Sequence, residues 1–270
     1  MRPSGVTLFS VLTAEAFRDA MRRRIVPVIA VMSLLSLLAV DSCTSCGGTT
    51  QIVQQGDRLP LTEVSGWAGM VIFTVLSLWM MLLAGLLASD HLAETISDGS
   101  ANLVLARPVR RSEFALARLI GVLGIAYATG AVVLTTSAYL LHLRHGVSLG
   151  AAAWAGLAAV AGALVVAAMA MALSLVLTRV ATALGVLLLV GTITFVNCLT
   201  LFGARLEGAA HVVQHFTPPL CTAVVAALGP WIAPVVPDVD PTIVALKLVF
   251  WLVASVVLLL AVFRRAELRS

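Results

Sequence analysis

Long apolar runs alternate along the chain with shorter polar interruptions, and the runs have the length of a bilayer rather than of a soluble core. Stretches near 20 residues form enough helix to cross a hydrocarbon layer of ~30 Å. They predict six spans, at about 25–41, 67–88, 115–141, 150–177, 181–203 and 243–263. The first is short, with Pro27 near its start, where proline is tolerated. The fourth is almost entirely Ala, Leu, Val and Met, with Ala and Gly at the small-xxx-small spacing that permits close helix packing. Only Thr178-Arg179-Val180 separates the fourth span from the fifth, but a single helix over 150–203 is too long for any bilayer.

Two further elements lie outside the spans. Residues 7–24 predict an amphipathic helix: at 100° per residue Phe9, Ala16, Phe17, Ala20 and Met21 share one side, and Glu15, Arg18, Asp19, Arg22 and Arg23 an opposite arc. Such a helix is expected in the membrane interface with its apolar side in the acyl boundary. The loops 42–66 and 204–242 are long, and the second turns apolar again at CTAVVAALGPWIAPVV, residues 221–236, between Pro218-Pro219 and Pro237. That run is too short to cross, so it predicts short interfacial or re-entrant helices on the outer face of the bundle.

Composition agrees. Hydrophobic residues are 60% and charged residues 11%, against about 25% charged in soluble domains, and mean hydropathy is +1.05. The chain reads as an integral membrane protein. Early charges (Arg2, Glu15, Arg18, Asp19) and no Ala-x-Ala-like site predict no removable signal peptide. With both termini cytoplasmic, thirteen of the 17 Lys and Arg fall inside, while Arg58, Arg144 and Arg205 lie in outer loops and Lys247 near the outer end of the last span. Acidic residues divide seven inside and six outside. The rule concerns Lys and Arg, so an even number of spans follows. The net charge of +4 therefore reports topology, not nucleic-acid affinity.

The candidate chemistry concentrates in Asp90–Arg118, the longest charged run between two spans, where Arg107, Arg110, Arg111 and Arg118 face Asp90, Glu94, Asp98 and Glu113. A protein that merely sat in lipid would need only a tight turn there. Gly99 lets the backbone turn, Leu103 and Leu105 offer apolar anchors, and Pro108 ends any helix before it. The stretch reads as a cytoplasmic docking element through which a separate motor moves the membrane part; the plain alternative is a solvated loop obeying the positive-inside rule. No G-x-x-x-x-G-K-[ST] loop occurs anywhere, so this chain cradles no nucleotide.

The order Glu94-Thr-Ile-Ser-Asp98-Gly99-Ser100-Ala-Asn-Leu103-Val-Leu105-Ala-Arg-Pro108-Val109-Arg-Arg111 resembles the signature loop of type-2 ABC exporter permeases, nearest the branch holding the permease of the nitrous-oxide-reductase maturation system. Ser100 stands where that family usually has Thr, and Arg118 where it usually has Lys. The resemblance covers essentially the whole chain and implies an all-α fold: an elbow helix at 1–24, then a six-span permease domain at 25–270. A coupling helix at about 98–107 would lie in the 89–118 loop, with re-entrant outer helices before span six. It implies that Glu94, Asp98, Gly99, Ser100, Leu103, Leu105, Pro108 and Arg111 meet an ABC ATPase subunit, present in two copies, which holds the ATP and Mg; this chain itself is no enzyme. It further implies a second copy of the permease or a paralogue, export, and the bacterial inner membrane, with an extracytoplasmic protein as a further partner. The alternative class is a non-transporting scaffold that recruits the ATPase and passes force to an outer partner.

Other features carry less. Cys43-Thr-Ser-Cys46 falls on the outer, oxidising side, as does Cys221, with Cys198 in the outer third of span five. The compartment favours a disulfide, Cys43–Cys46 first, over a redox or metal site, since four ligands are the rule for structural zinc and no second C-x-x-C follows. His211 and His215 have i, i+4 spacing but no Glu in the H-E-x-x-H manner, and read as amphipathic filler before metal ligands. Lys247 is expected to snorkel, and Asn197 to make a helix–helix hydrogen bond. No G-x-S-x-G or intramembrane Asp pair supports catalysis, and no ring of polar residues supports a channel.

Overall fold

The computed structural model describes residues 5–21, 31, 38, 53–54, 57–58, 61–97, 111–145, 147–201, 203, 207–229 and 239–266. These are helical except for linkers and one two-residue antiparallel pair, β1 (Val53–Gln54) and β2 (Asp57–Arg58). The helices are α1 (Gly5–Met21), α2 (Leu61–Ser97), α3 (Arg111–His145), α4 (Leu149–Ser174), α5 (Arg179–Leu201), α6 (Ala209–Phe216), α7 (Leu220–Leu228) and α8 (Pro241–Ala266).

Five segments are long and apolar enough to cross a membrane: Gly69–Ser89, Ser112–Leu143, Leu149–Ser174, Arg179–Leu201 and Pro241–Arg265. They match five of the six expected spans, and the chain is a helical, multi-pass membrane protein. The expected first span, 25–41, lies outside the described residues except for Val31 and Leu38, which are helical and exposed.

Local chemistry sets the helix ends. The Ser148 hydroxyl accepts from Ala151 N at 3.2 Å and caps α4. At the other end of α4, Leu177 N and Val176 N both donate to Leu173 O, at 2.9 and 3.0 Å, closing a turn before α5 begins at Arg179. A break therefore does separate the two spans, at residues 175–178, with Arg179 and Val180 already in α5. Asp240 caps α8 through Thr242 N at 2.8 Å, with Pro241 in the first helical position, where its missing N–H costs nothing.

Packing centres on α4, which touches α2, α3, α5, α7 and α8. Its buried stripe is Ala155, Ala159, Gly162, Ala163, Ala167 and Ala170, small enough for neighbouring backbones to come close. A Cβ on Gly162 would lie 2.5 Å from Met81 Cε, and one on Gly85 would lie 2.8 Å from both Val166 Cγ1 and Val186 Cγ1. Those two positions hold α2 against α4 and α5. Tyr127 OH donates to Val160 O at 3.0 Å and adds a polar tie between α3 and α4.

The N-terminal helix makes a contact that the sequence did not specify. Its Ala16 is fully buried, and a Cβ on Gly121 of α3 would fall 2.5 Å from Ala16 Cβ, with Ala16 C and Phe17 N at 3.2 Å. One turn on, Gly124 lies under the Phe17 ring. This part of the apolar side is spent on α3 and not on the acyl boundary, because a Gly-x-x-Gly groove offers closer packing than lipid can.

Candidate functional site

The stretch richest in charged candidates joins α2 to α3. Asp98, Gly99, Ser100, Leu103, Leu105 and Pro108 lie outside the described residues, while Glu94 and Arg111 lie within helical backbone at the two flanks. The flanks are informative. α2 does not stop with its apolar segment at Ser89 but continues unbroken to Ser97, about 12 Å of extra helix. α3 opens at Arg111, with Glu113 in its first turn where a carboxylate is favoured. The Arg118 guanidinium sits 5.4 Å from the centre of the Phe114 ring, a cation–π contact one turn along. α1 then lies across α3 at Gly121 and Gly124. Residues 98–110 thus connect two long helices, one of which carries a third helix on its side.

Sequence reasoning passed over Gly121 and Gly124. The signal was present as a Gly-x-x-Gly pair one turn after Arg118, but glycine in an apolar helix does not say which neighbour it admits.

The second polar focus is Asn197, 3% exposed in α5. Its Nδ2 donates to Ile193 O at 2.8 Å and to Pro218 O at 2.9 Å. Its Oδ1 accepts from Thr222 N at 3.2 Å and from Thr222 Oγ1 at 2.9 Å. All four hydrogen-bonding positions of the amide are filled. The reason is local: α7 begins after Pro219, which has no side-chain oxygen to cap the helix. Asn197 supplies the missing acceptor from a neighbouring helix, as the expectation of an inter-helix bond required. α7 itself spans only about 14 Å of helix and buries Leu220, Cys221, Thr222, Ala223, Val224, Val225 and Leu228.

The other marked residues are less engaged. Cys198 and Cys221 are both free thiols, so neither joins a disulfide; Cys43 and Cys46 lie outside the described residues. Burial first, and then neighbouring Cys198, push the Cys221 thiol up to about 12, against a weaker lowering hydrogen bond from Thr194, so it is a poor nucleophile. His211 and His215 are exposed on α6, stacked nearly parallel with ring centres 6.3 Å apart. No group of three or more His, Cys, Asp or Glu among the described residues is placed to hold a metal ion. Lys247 is half-buried on α8.

Buried polar side chains among the described residues are Ser77, Ser89, Ser137, Ser174, Thr182, Asn197, Thr222 and Ser255. All except Asn197 and Thr222 return their hydroxyl to a carbonyl three or four residues back, which leaves no polar path among the described residues. No family model matches the chain, and no curated protein matches it in sequence.

Proposed function

We propose that this chain is the membrane-spanning subunit of an ATP-binding-cassette exporter, working in a bacterial inner membrane with a separate ATPase and a second copy of itself or a paralogue. In this reading it crosses six times with both ends cytoplasmic, α1 is the elbow, and residues 98–107 form the coupling helix. α6 and α7 then belong to the outer, re-entrant part before the last span. ATP and Mg are held by the partner, and closure of the partner dimer pulls on 98–111.

The observation that carries the reading is the unbroken run of α2 past Ser89 to Ser97 and the start of α3 at Arg111. Force applied at the end of α2 or the start of α3 would enter a long helix directly. α1, clamped on Gly121 and Gly124, would move with α3. Support for a second copy comes from α5, whose exposed Leu184, Leu188, Gly191 and Phe195 follow a 4-3-4 spacing along one side, the seam pattern of paired helices.

Leu103→Asp with Leu105→Asp, in a complex that still assembles with its ATPase, is expected to abolish stimulated ATP turnover. Unchanged turnover refutes coupling through this loop. Cysteine labelling is expected to place positions 100 and 268 inside and 55 and 145 outside; reaction of position 100 from outside overturns the topology. A second reading is a membrane scaffold that transmits force without moving cargo. The absence of a polar path among the described residues favours it over transport of any hydrophilic solute, and within the transporter reading favours a lipidic or amphiphilic cargo.

A further inference from the structure

The helix α6 has only eight residues and is tied to the last turn of α5 through Gln214 Nε2, which donates to Thr200 Oγ1 at 3.1 Å. Its two sides differ. Val212, Val213 and Phe216 form an apolar arc, each more than half exposed, the pattern of a helix lying on a membrane surface with that arc toward the acyl chains. His211 and His215 lie on the other side, one turn apart and about 40° from each other around the axis. Both are exposed, and their rings stand nearly parallel, with 9° between planes and centres 6.3 Å apart.

Two imidazoles in that register can present nitrogen lone pairs to a common point beside the helix. A cation bound to imidazole sits ~2.0–2.1 Å from the nitrogen and so about 3.2 Å from the ring centre, and two rings on one tetrahedral ion have centres about 5 Å apart. The rings of His211 and His215 reach that arrangement by closing about 1 Å, a small turn about χ1 and χ2 at exposed positions. Water fills the remaining coordination positions, since no third His, Cys, Asp or Glu among the described residues joins the pair.

The donor set selects the cation: imidazole suits zinc, nickel and copper, whereas magnesium and calcium take oxygen ligands. The helix has something to gain. α6 starts behind Gly208, which has a φ of +65° and gives no side-chain cap, and so short a helix is marginal by itself. A cation joining His211 to His215 would clasp one full turn of it.

We propose that His211 and His215 form a two-imidazole site for a divalent transition cation of the zinc, nickel and copper class, and that binding there stiffens α6. The site stands whether or not an ATPase drives the chain.

The test uses the full-length protein without a histidine tag, in detergent, with Cys43 and Cys46 replaced by serine so that their C-x-x-C pair contributes no zinc ligand. Zinc(II) is titrated by calorimetry with magnesium as the comparison, and amide exchange across residues 209–216 is followed by mass spectrometry. His211→Gln or His215→Gln is expected to weaken zinc binding roughly 100-fold, the least that a second linked contact contributes. His215→Gln with Phe216→His keeps the number of imidazoles but sets them about 140° apart, and is expected to bind no better than His215→Gln alone. Zinc at 100 times its dissociation constant is expected to slow exchange across 209–216 roughly 100-fold in the parent and not in the variants. Magnesium binding as tight as zinc, exchange that zinc leaves unchanged, or parent-like zinc binding in either single variant or in the displaced pair overturns the proposal.

Discussion

Replacing Asn197 by leucine probes the junction of α5 and α7 by keeping the branching of the side chain and removing its polar atoms. The substitution removes two donors and one acceptor that serves twice. Not every group left behind is stranded. Ile193 O keeps its place in the helix ladder, Pro218 O still accepts from Leu220 N at 3.0 Å, and the Thr222 hydroxyl can turn to the carbonyl four residues back, as threonines do in helices. Thr222 N–H has no such recourse: it lies in the first turn of α7, behind a proline cap, and is buried. One stranded buried N–H costs about 1–3 kcal/mol, and the two lost inter-helix bonds add about 0.6 kcal/mol each at the values found within membranes. The expected cost is therefore about 2–4 kcal/mol. Cys221, one residue before Thr222 and 2% exposed, reports the opening. With Cys43, Cys46 and Cys198 replaced by serine, the rate of maleimide labelling of Cys221 under mild detergent is expected to rise roughly 30- to 700-fold, since ~1.4 kcal/mol is tenfold. Thr222→Val in the same background should show a coupling energy of about 1 kcal/mol with Asn197→Leu. A rise below about fivefold, or strictly additive effects, would refute the assignment of Asn197 as the cap of α7.

Three further outcomes are expected. Gly121→Leu forces the backbone of α1 away at Ala16 and Phe17, so trypsin should cut at Arg18 faster, with about 1–3 kcal/mol lost to overpacking; unchanged cleavage would contradict the docking of α1. Gly191→Leu on α5, where an added Cβ meets nothing within 4 Å, should leave the monomer's melting temperature unchanged and weaken self-association measured by light scattering, if the exposed seam pairs two copies. The Asp240 carboxylate is held below its ordinary value near 3.8, chiefly because it accepts from Thr242 N–H. Its capping of α8 is thus fully present above about pH 4 and fades as pH falls through the lowered value. Asp240→Asn should flatten that acid dependence in circular dichroism, and a wild-type curve that instead fell between pH 6 and 8 would exclude this carboxylate as its source.

How much of this was legible in the sequence depended on whether polarity carried the message. Five of the six span positions followed from length and hydropathy, and even the weak break near Thr178 was real, because no bilayer admits the longer helix. Asn197 was legible for the same reason: a lone amide in hydrocarbon must find partners, and the only open question was which. That it would cap a helix begun by Pro218-Pro219 needed the fold, since the two sites are 25 residues apart. A groove beside α8, between it, α4 and α7, was invisible, being made of residues that look the same whether packed or lipid-facing. The docking of α1 was half visible, in the amphipathic pattern but not in its destination.

That last gap has a general cause. In water a helix distinguishes inside from outside by polarity, but both environments of a membrane helix are apolar, and the distinction passes to side-chain shape. α5 turns Thr182, Val186, Val190, Ile193 and Val196 inward and Leu184, Leu187, Leu188 and Phe195 outward. Its inner row is stiff and β-branched, with one preferred rotamer and little entropy to lose on packing; its outer row is long and flexible, where lipid imposes no rotamer. α4 makes the same division by volume, with Ala155, Ala159, Gly162 and Ala163 inward against Trp154 and Leu157 outward. α8 departs from it: inward Val244, Leu248, Leu259 and Phe263 are as large as outward Leu246, Phe250 and Leu258. The exception falls on the helix that packs least tightly, with 22% of its window buried against 61% for α4. The large inward side chains go with a less buried helix, and the space left beside Val244 and Leu248 is the groove between α4, α7 and α8.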